Sequence, residues 1–530
     1  MLTRYRLFAG ILLATILLLA LFLRSADLAH LPSGLYPDEA VNGIDALNAI
    51  ESSHYAIFYP NNYGREGLFI NLQALALKLF GTNIVALKLF SVFFGTLAVL
   101  GTYLLAKELL HRRSSALIAA FLIATSYWAI NFSRIGFRAI MLPFIFSFTF
   151  YFFFRGLRKG GYASFILSGL FFGLGLNTYI SWRIAPLILV LLVPFLMLSY
   201  QNFIRRFWKQ ALVFLLAAVI TAGPILFHFF VSHPEDFASR TGAVSVFSPE
   251  VNQGQLGLTL AKTVGLSLVK YNFWGDQNWR HNYPPYPVLD PFSGILFLGG
   301  FLFLIFQTVT LLWRRIAHKD RDTRLVRDAF LLIAFFAMLI PEFLTAEGLP
   351  HALRAIGTQV PVFIIAALSA AWLAKRALQS QSRKRLVLLG ILGIFLFASA
   401  SINIVKYFVF FRLNPAQASA FNENYTLMSR YLLSLPPETH KYVYANAGGT
   451  TINNGLPVTA QPIVFLTHNR IENLEFLNPD TKVQMPAVII LQRHDEALME
   501  RIKKKKPGAI FETIDLDPGS GTNFTVITLP

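Results

Sequence analysis

Asp38 and Glu39 sit in the stretch SGLYPDEAVNGIDALNAI, residues 33–50, with Asp45 and Glu51 close behind, just after the first long apolar run of the chain. Pro37 suits a first helical turn. From there Asp38, Asn42 and Asp45 recur at i, i+4 and i+7 and so share one helix face. Acidic residues at a helix start also suit the macrodipole, so the bland reading is a set of helix-start carboxylates on a solvated loop. The sharper reading takes in NNYGREGLFINLQALALKLFG, where Arg65 and Glu66 open a second amphipathic stretch too interrupted by polar residues to span a bilayer. Two interfacial helices with charged starts would frame a cavity at the membrane surface. Carboxylates and an arginine there suit a substrate that has both a hydroxyl to deprotonate and a phosphate to neutralise.

More arginines stand at turns between apolar runs: Arg134 and Arg138 in NFSRIGFRAIMLP, Arg183 in NTYISWRIAP, and His351 with Arg354 in GLPHALRAIG. A further group, Arg280, His281 and Asn282, precedes a proline-aromatic run in WGDQNWRHNYPPYPVLDPFSG. Taken singly, each is an interfacial side chain that snorkels. Together they need a reason, and guanidinium pairing with phosphate is a good one.

The elements that must position these residues are membrane spans. Of 530 residues, 55% are hydrophobic and 14% charged, against roughly a quarter charged in soluble domains; mean hydropathy is +0.53. Apolar runs of span length fall near 7–23, 84–106, 115–131, 139–155, 162–179, 184–200, 210–230, 294–313, 328–345, 355–374 and 386–406, about eleven in all. The expected fold is therefore a polytopic α-helical membrane protein with interfacial helices in its first outer loop. The first run reads as a retained signal anchor.

The net charge of +18 does not point to nucleic acid, because Lys and Arg gather in short clusters between apolar runs. With the N-terminus in the cytoplasm, those clusters fall on the cytoplasmic side each time, as the positive-inside bias requires. The expected location is the inner (plasma) membrane, multi-pass, with membrane lipids around it. Segments 24–83, 231–293 and the tail then lie outside. The expected division is a membrane domain over 1–411 and a small extracytoplasmic α/β domain over 412–530. In the tail, KYVYAN, PIVFLT, AVIILQ and NFTVITL read as strands and DEALMERIKKKKPG as a helix with a Pro-Gly stop. The chain has no cysteine, which excludes disulfides and thiolate chemistry. Asp320–Asp322 and Asp515–Asp517 each spell Asp-x-Asp, in a basic loop and near the chain end, and are set aside as chance matches.

The pieces YPDEA, GREGLF, SRIGFRAIMLPF, GLNTYISWRIAPL, RHNYPPYPVLD and PHALRAIG, in this order over about residues 1–380, resemble the GT-C superfamily of membrane glycosyltransferases. The branch they resemble is the bacterial one related to protein O-mannosyltransferases and the lipid A aminoarabinose transferase. The resemblance implies a sugar donor on a polyprenyl phosphate. It implies inverting transfer on the outer face to a hydroxyl or amine-bearing lipid, glycan or protein. Asp38 would deprotonate the acceptor with Glu39 as its partner, and Arg65 would contact the lipid phosphate. Glu66, Arg134, Arg138, Tyr179, Arg183, His281, Asn282, His351 and Arg354 would line the substrate cavity. A divalent cation on Asp38 and Glu39 stays open, although no full ligand set is visible. The β-trefoil insert of the eukaryotic relatives and the WWDYG motif of oligosaccharyltransferases are missing, which argues against protein O-mannosylation and sequon N-glycosylation. The rival readings are a transporter or flippase, which calls for ionisable residues within spans and often for repeats, and a scaffold whose tail does the work.

Overall fold

A computed structural model describes residues 2–237, 245–477, 482–517 and 522–530, with side chains from residue 6 onward. Among the described residues, eight helices are long and apolar enough to cross a bilayer: Arg6–Ser25, Ile84–Leu110, Arg138–Lys159, Ile180–Ser199, Phe203–Ser232, Pro291–Ala317, Ile356–Leu378 and Ser382–Phe411. The three remaining expected spans are helical but less regular. The run at 115–131 is two helices, Arg113–Thr125 and Tyr127–Phe132, broken where Ser126 is extended (φ −64°, ψ 131°). The run at 162–179 is the shorter apolar stretch Tyr162–Asn177. The run at 328–345 lies in Arg324–Phe343, which carries Arg324, Arg327, Asp328 and Glu342. Exposed apolar side chains such as Phe306, Ile316, Leu386 and Phe397 stand on the long helices, as lipid-facing surfaces require.

The chain divides into two compact units, one of Met1–Ala26 with Ser91–Phe408 and one of Asp27–Phe90 with Val409–Pro530. By packing, then, the segment after the first helix associates with the tail. The reason is visible in the second unit's core. Val41, Ile44 and Leu47 of helix Pro37–Ser52 pack with Ile70 and Leu77 of helix Gly67–Phe80 and with Phe465 and Leu466 of the tail. Gly43 lets the tail approach, since a Cβ there would stand 2.6 Å from Phe465 Cδ2. Leu75, Leu79 and Phe80 remain exposed on helix Gly67–Phe80, an apolar face suited to an interface.

The tail holds a five-stranded sheet in the order Leu474–Phe476, His440–Tyr444, Ala487–Leu491, Thr522–Leu529, Ile510–Asp517. The first three strands run parallel, and the last two join antiparallel. Side chains alternate between faces with period two: Val443, Val488, Ile490 and Val526 meet helix residues Tyr425, Met428 and Leu432, while Tyr442, Ile489, Leu491 and Ile527 meet Leu498 of helix Glu496–Lys505. That helix starts at Asp495, whose side chain accepts from Leu498 N (2.9 Å). One expected strand is corrected: PIVFLT lies in the helix Gln461–Thr467, with Pro462 in its first turn. A short apolar run reads equally as strand or buried helix, and here packing against helix Pro37–Ser52 decides.

Candidate functional site

Helix Pro37–Ser52 begins with Pro37 in its first turn and carries two of its acids, Glu39 and Asp45, inward, while Glu51 near its end is exposed beside His468. Glu39 is fully buried and pairs with Lys88, also fully buried (Oε2–Nζ 3.8 Å). Asp45 is buried and forms an ion pair with Arg65, which is only 2% exposed. Arg65 also donates to Asn42 Oδ1 (2.6 Å) and Asn61 O (3.1 Å), while Asn61 Nδ2 donates to Asp45 Oδ1 (2.8 Å). Arg65 and Glu66 form a two-residue strand against Phe58–Tyr59, and Glu66 immediately precedes helix Gly67–Phe80. Asp38 differs from the buried pair. It is half-buried and forms no ion pair among the described residues, and its Oδ1 accepts from Asn62 Nδ2 (2.9 Å). Asn62 reaches it from a turn in which Asn62, Tyr63 and Gly64 all have positive φ (51°, 64° and 82°), a conformation Asn and Gly tolerate best.

The other eight residues named from the sequence lie in the first unit. Arg134 is fully buried and donates to Leu23 O (3.0 Å) and Ala26 O (2.6 Å), with its guanidinium over the rings of Tyr407 and Phe408. There it holds the carbonyl end of the first helix, the favoured place for a cation. Arg138 lies 5.6 Å over the Tyr179 ring. Arg183 packs over Phe229 and Phe237 and donates to Phe237 O (2.7 Å).

His281, Asn282, His351 and Arg354 come together in a third group. The His281 and His351 rings lie 4.6 Å apart. His281 Nδ1 bonds Asp276 Oδ2 (3.0 Å), which also accepts from Ala352 N (2.7 Å). Asn282 donates to Asp276 O and Tyr286 O. Arg354 binds Glu347, and its backbone N–H reaches His351 Nδ1 (3.3 Å). The turn of His351 is fixed from below by Glu342, which accepts from His351 N (2.8 Å) and pairs with Lys270, both acid and base fully buried. Burial, with Arg280 and Arg354 nearby, pulls both imidazoles below their ordinary range, His351 furthest.

Asp276, His281 and His351 offer ligand atoms within 4.8 Å of one another, a spacing that could hold a metal ion. Against this, Asp276 Oδ2 already accepts two hydrogen bonds, and Arg280, Arg354 and Lys270 add positive charge around the histidines. The arrangement therefore works first as a hydrogen-bonded clamp between the loop at 275–290 and the turn at 349–355. Replacing Asp276 by Asn should cost about 2 kcal/mol, since charged hydrogen bonds contribute about 1.5–3 kcal/mol each; thermal unfolding in lipid checks it, and an unchanged midpoint would remove the clamp. The histidines also set a pH dependence. Their folded-state pKa values are lowered, so the unfolded chain takes up protons first as pH falls through about 6.5. The stability they contribute should be complete above that pH and decline below it, which denaturation across pH 5–8 would reveal.

Asp276, Lys88, Lys270 and Glu342 were not singled out in the sequence. Asp276 stands five residues before His281 in the stretch already quoted, and a lysine inside an apolar helix was the available signal for Lys88.

Residues 68–227 match the family described as dolichyl-phosphate-mannose-protein mannosyltransferase. No curated protein matches the chain by sequence. Among solved structures, ArnT from Cupriavidus metallidurans bound to undecaprenyl phosphate is similar at a TM-score of 0.52 and 12% identity, covering 99% of this chain and 98% of that one. Its apo state gives 0.51 and 13%, with the same coverage. The oligosaccharyltransferase of Archaeoglobus fulgidus, tethered to an acceptor peptide containing the NVT sequon, gives 0.51 and 16%, covering 87% of this chain; the chain spans 63% of that protein's length. The fold is that of the GT-C superfamily of membrane glycosyltransferases. The likeness to these solved structures is one of fold, and the family match covers residues 68–227.

Proposed function

We propose that this protein is an inverting glycosyltransferase that moves a sugar from a polyprenyl-phosphate donor to an acceptor hydroxyl or amine on the outer face of the membrane. Support for the donor comes from the undecaprenyl phosphate bound by the similar ArnT and from the family match over residues 68–227. The observation that carries the reading is the inequality among the acids of helix Pro37–Ser52. Glu39 and Asp45 are buried against Lys88 and Arg65, whereas Asp38 is half-buried with an amide for a partner and no cation. A carboxylate in that state can accept a proton, and Asn62 orients it without neutralising it. Glu39 and Arg65 then act by holding the helix and the Asn61–Asn62 turn in place.

In the displacement, the acceptor oxygen or nitrogen attacks the anomeric carbon, its proton passes to Asp38, and the bond to the lipid phosphate breaks. The leaving phosphate gathers negative charge, which fixed cations stabilise without reorganising. Arg138, Arg354, His281 and Asn282 are proposed substrate-binding residues on the strength of their sequence pattern.

The reading is tested by donor capture. Purified protein in lipid is offered photoreactive polyprenyl-phosphate sugars and digested for mass spectrometry. Labelling that is competed by unlabelled donor supports the proposal; no competed labelling with any donor in the panel overturns it.

A further inference from the structure

The tail has a pocket of its own, of about 380 Å³, within the usual size range for small-ligand sites. Its position follows from topology. From strand His440–Tyr444 the chain crosses to Leu474–Phe476 on one side, and from its other neighbour, Ala487–Leu491, it crosses to the far side of the sheet, so the connections leaving the two paired parallel strands part at their carboxyl ends. The crevice where connections part in this way is where open α/β sheets bind ligands. Ala447 follows the first strand and Gln492, Arg493 and His494 follow the second, and all four line the pocket. The antiparallel neighbour adds Asn523 and Thr525, with Thr525 in register with Leu491.

The wall is built to form hydrogen bonds. Gln492 is 2% exposed; its Nε2 donates to Thr459 O (2.6 Å), and the Tyr425 hydroxyl lies beside its side chain. His494 Nδ1 is held by Thr525 Oγ1 (3.0 Å). The Arg493 guanidinium is exposed and takes part in no ion pair among the described residues. The pocket thus combines neutral amides and hydroxyls with one uncommitted cation at its rim.

We infer that this pocket binds an acidic saccharide unit, with the sugar hydroxyls on Gln492, Asn523 and Thr525 and the carboxylate on Arg493. The inference stands apart from the transfer reaction. It gives the tail a glycan-binding role whether or not Asp38 is a base. It is tested with the full chain in nanodiscs by saturation-transfer NMR, using a soluble disaccharide containing a uronic acid and its neutral counterpart. Saturable binding of the acidic sugar is expected, at least tenfold tighter than the neutral one. Arg493→Ala should weaken it by a factor of ten, Asn523→Trp should block it, and Asp38→Asn should leave it unchanged. Thermal midpoints equal to wild type show that the variants fold. No saturable binding, equal binding of both sugars, or binding indifferent to Arg493→Ala and Asn523→Trp overturns the inference.

Discussion

Asp38→Asn is expected to lower the rate of sugar transfer by about 10²–10⁴-fold while the protein folds and binds its donor as before. The size follows from what the side chain would do. General-base assistance contributes that range when a positioned carboxylate takes a proton in the transition state, and an amide of the same shape cannot accept it. The structure makes the substitution a clean one. Asp38 has no ion-pair partner to orphan among the described residues, and it is half-buried, so no charge is left stranded when its own is removed. Asn62 donates to Oδ1 and can do the same to the Asn oxygen. Donor affinity and thermal midpoint should therefore stay at wild-type values while single-turnover transfer collapses. Equal transfer rates in both proteins would remove Asp38 as the base.

The second large effect belongs to stability. Lys88→Met is expected to destabilise the protein by about 3–5 kcal/mol, because it removes the cation that pairs with Glu39 in a fully buried site. Removing both charges is a different matter: Glu39→Gln with Lys88→Met should recover most of the loss, since a buried pair replaced by neutral groups of similar volume is often near neutral. The measurement is a double-mutant cycle on thermal unfolding in lipid, with transfer activity read in parallel. It also separates two roles for Glu39. If Glu39 only holds the helix in place, the double variant regains activity with stability. If it takes part in the chemistry, stability returns and activity does not. A Lys88→Met protein as stable as wild type would show that the pair is not the anchor of helix Pro37–Ser52.

Much of this was legible in the sequence because it is periodic. The long spans, the amphipathic helices after Pro37 and Gly67, and three of the tail strands announce themselves through apolar spacing, which local pattern alone encodes. What stayed hidden depends on partners far along the chain. Nothing near Phe465 says that PIVFLT would be a helix, because the deciding contact is with Gly43, more than four hundred residues earlier. The break at Ser126 is a local kink inside an unbroken apolar run. Asp276, Lys270 and Glu342 look like ordinary loop or span-end charges until folding places Asp276 on His281 and the buried Lys270–Glu342 pair beneath His351. Of the arginines grouped by sequence for phosphate, the structure holds Arg65 against Asp45 and Arg134 on the carbonyls of Leu23 and Ala26, a distinction that no spacing rule carries.

The most direct test of the central claim is consumption of donor by the purified wild-type chain in lipid. Polyprenyl-phosphate sugars of defined anomeric configuration are supplied with envelope extract, and free polyprenyl phosphate and sugar-bearing product are measured together. The account predicts that the two appear in equal amounts and that the product has the opposite anomeric configuration. Donor that stays intact with every sugar, or that merely changes leaflet without losing its sugar, would contradict it.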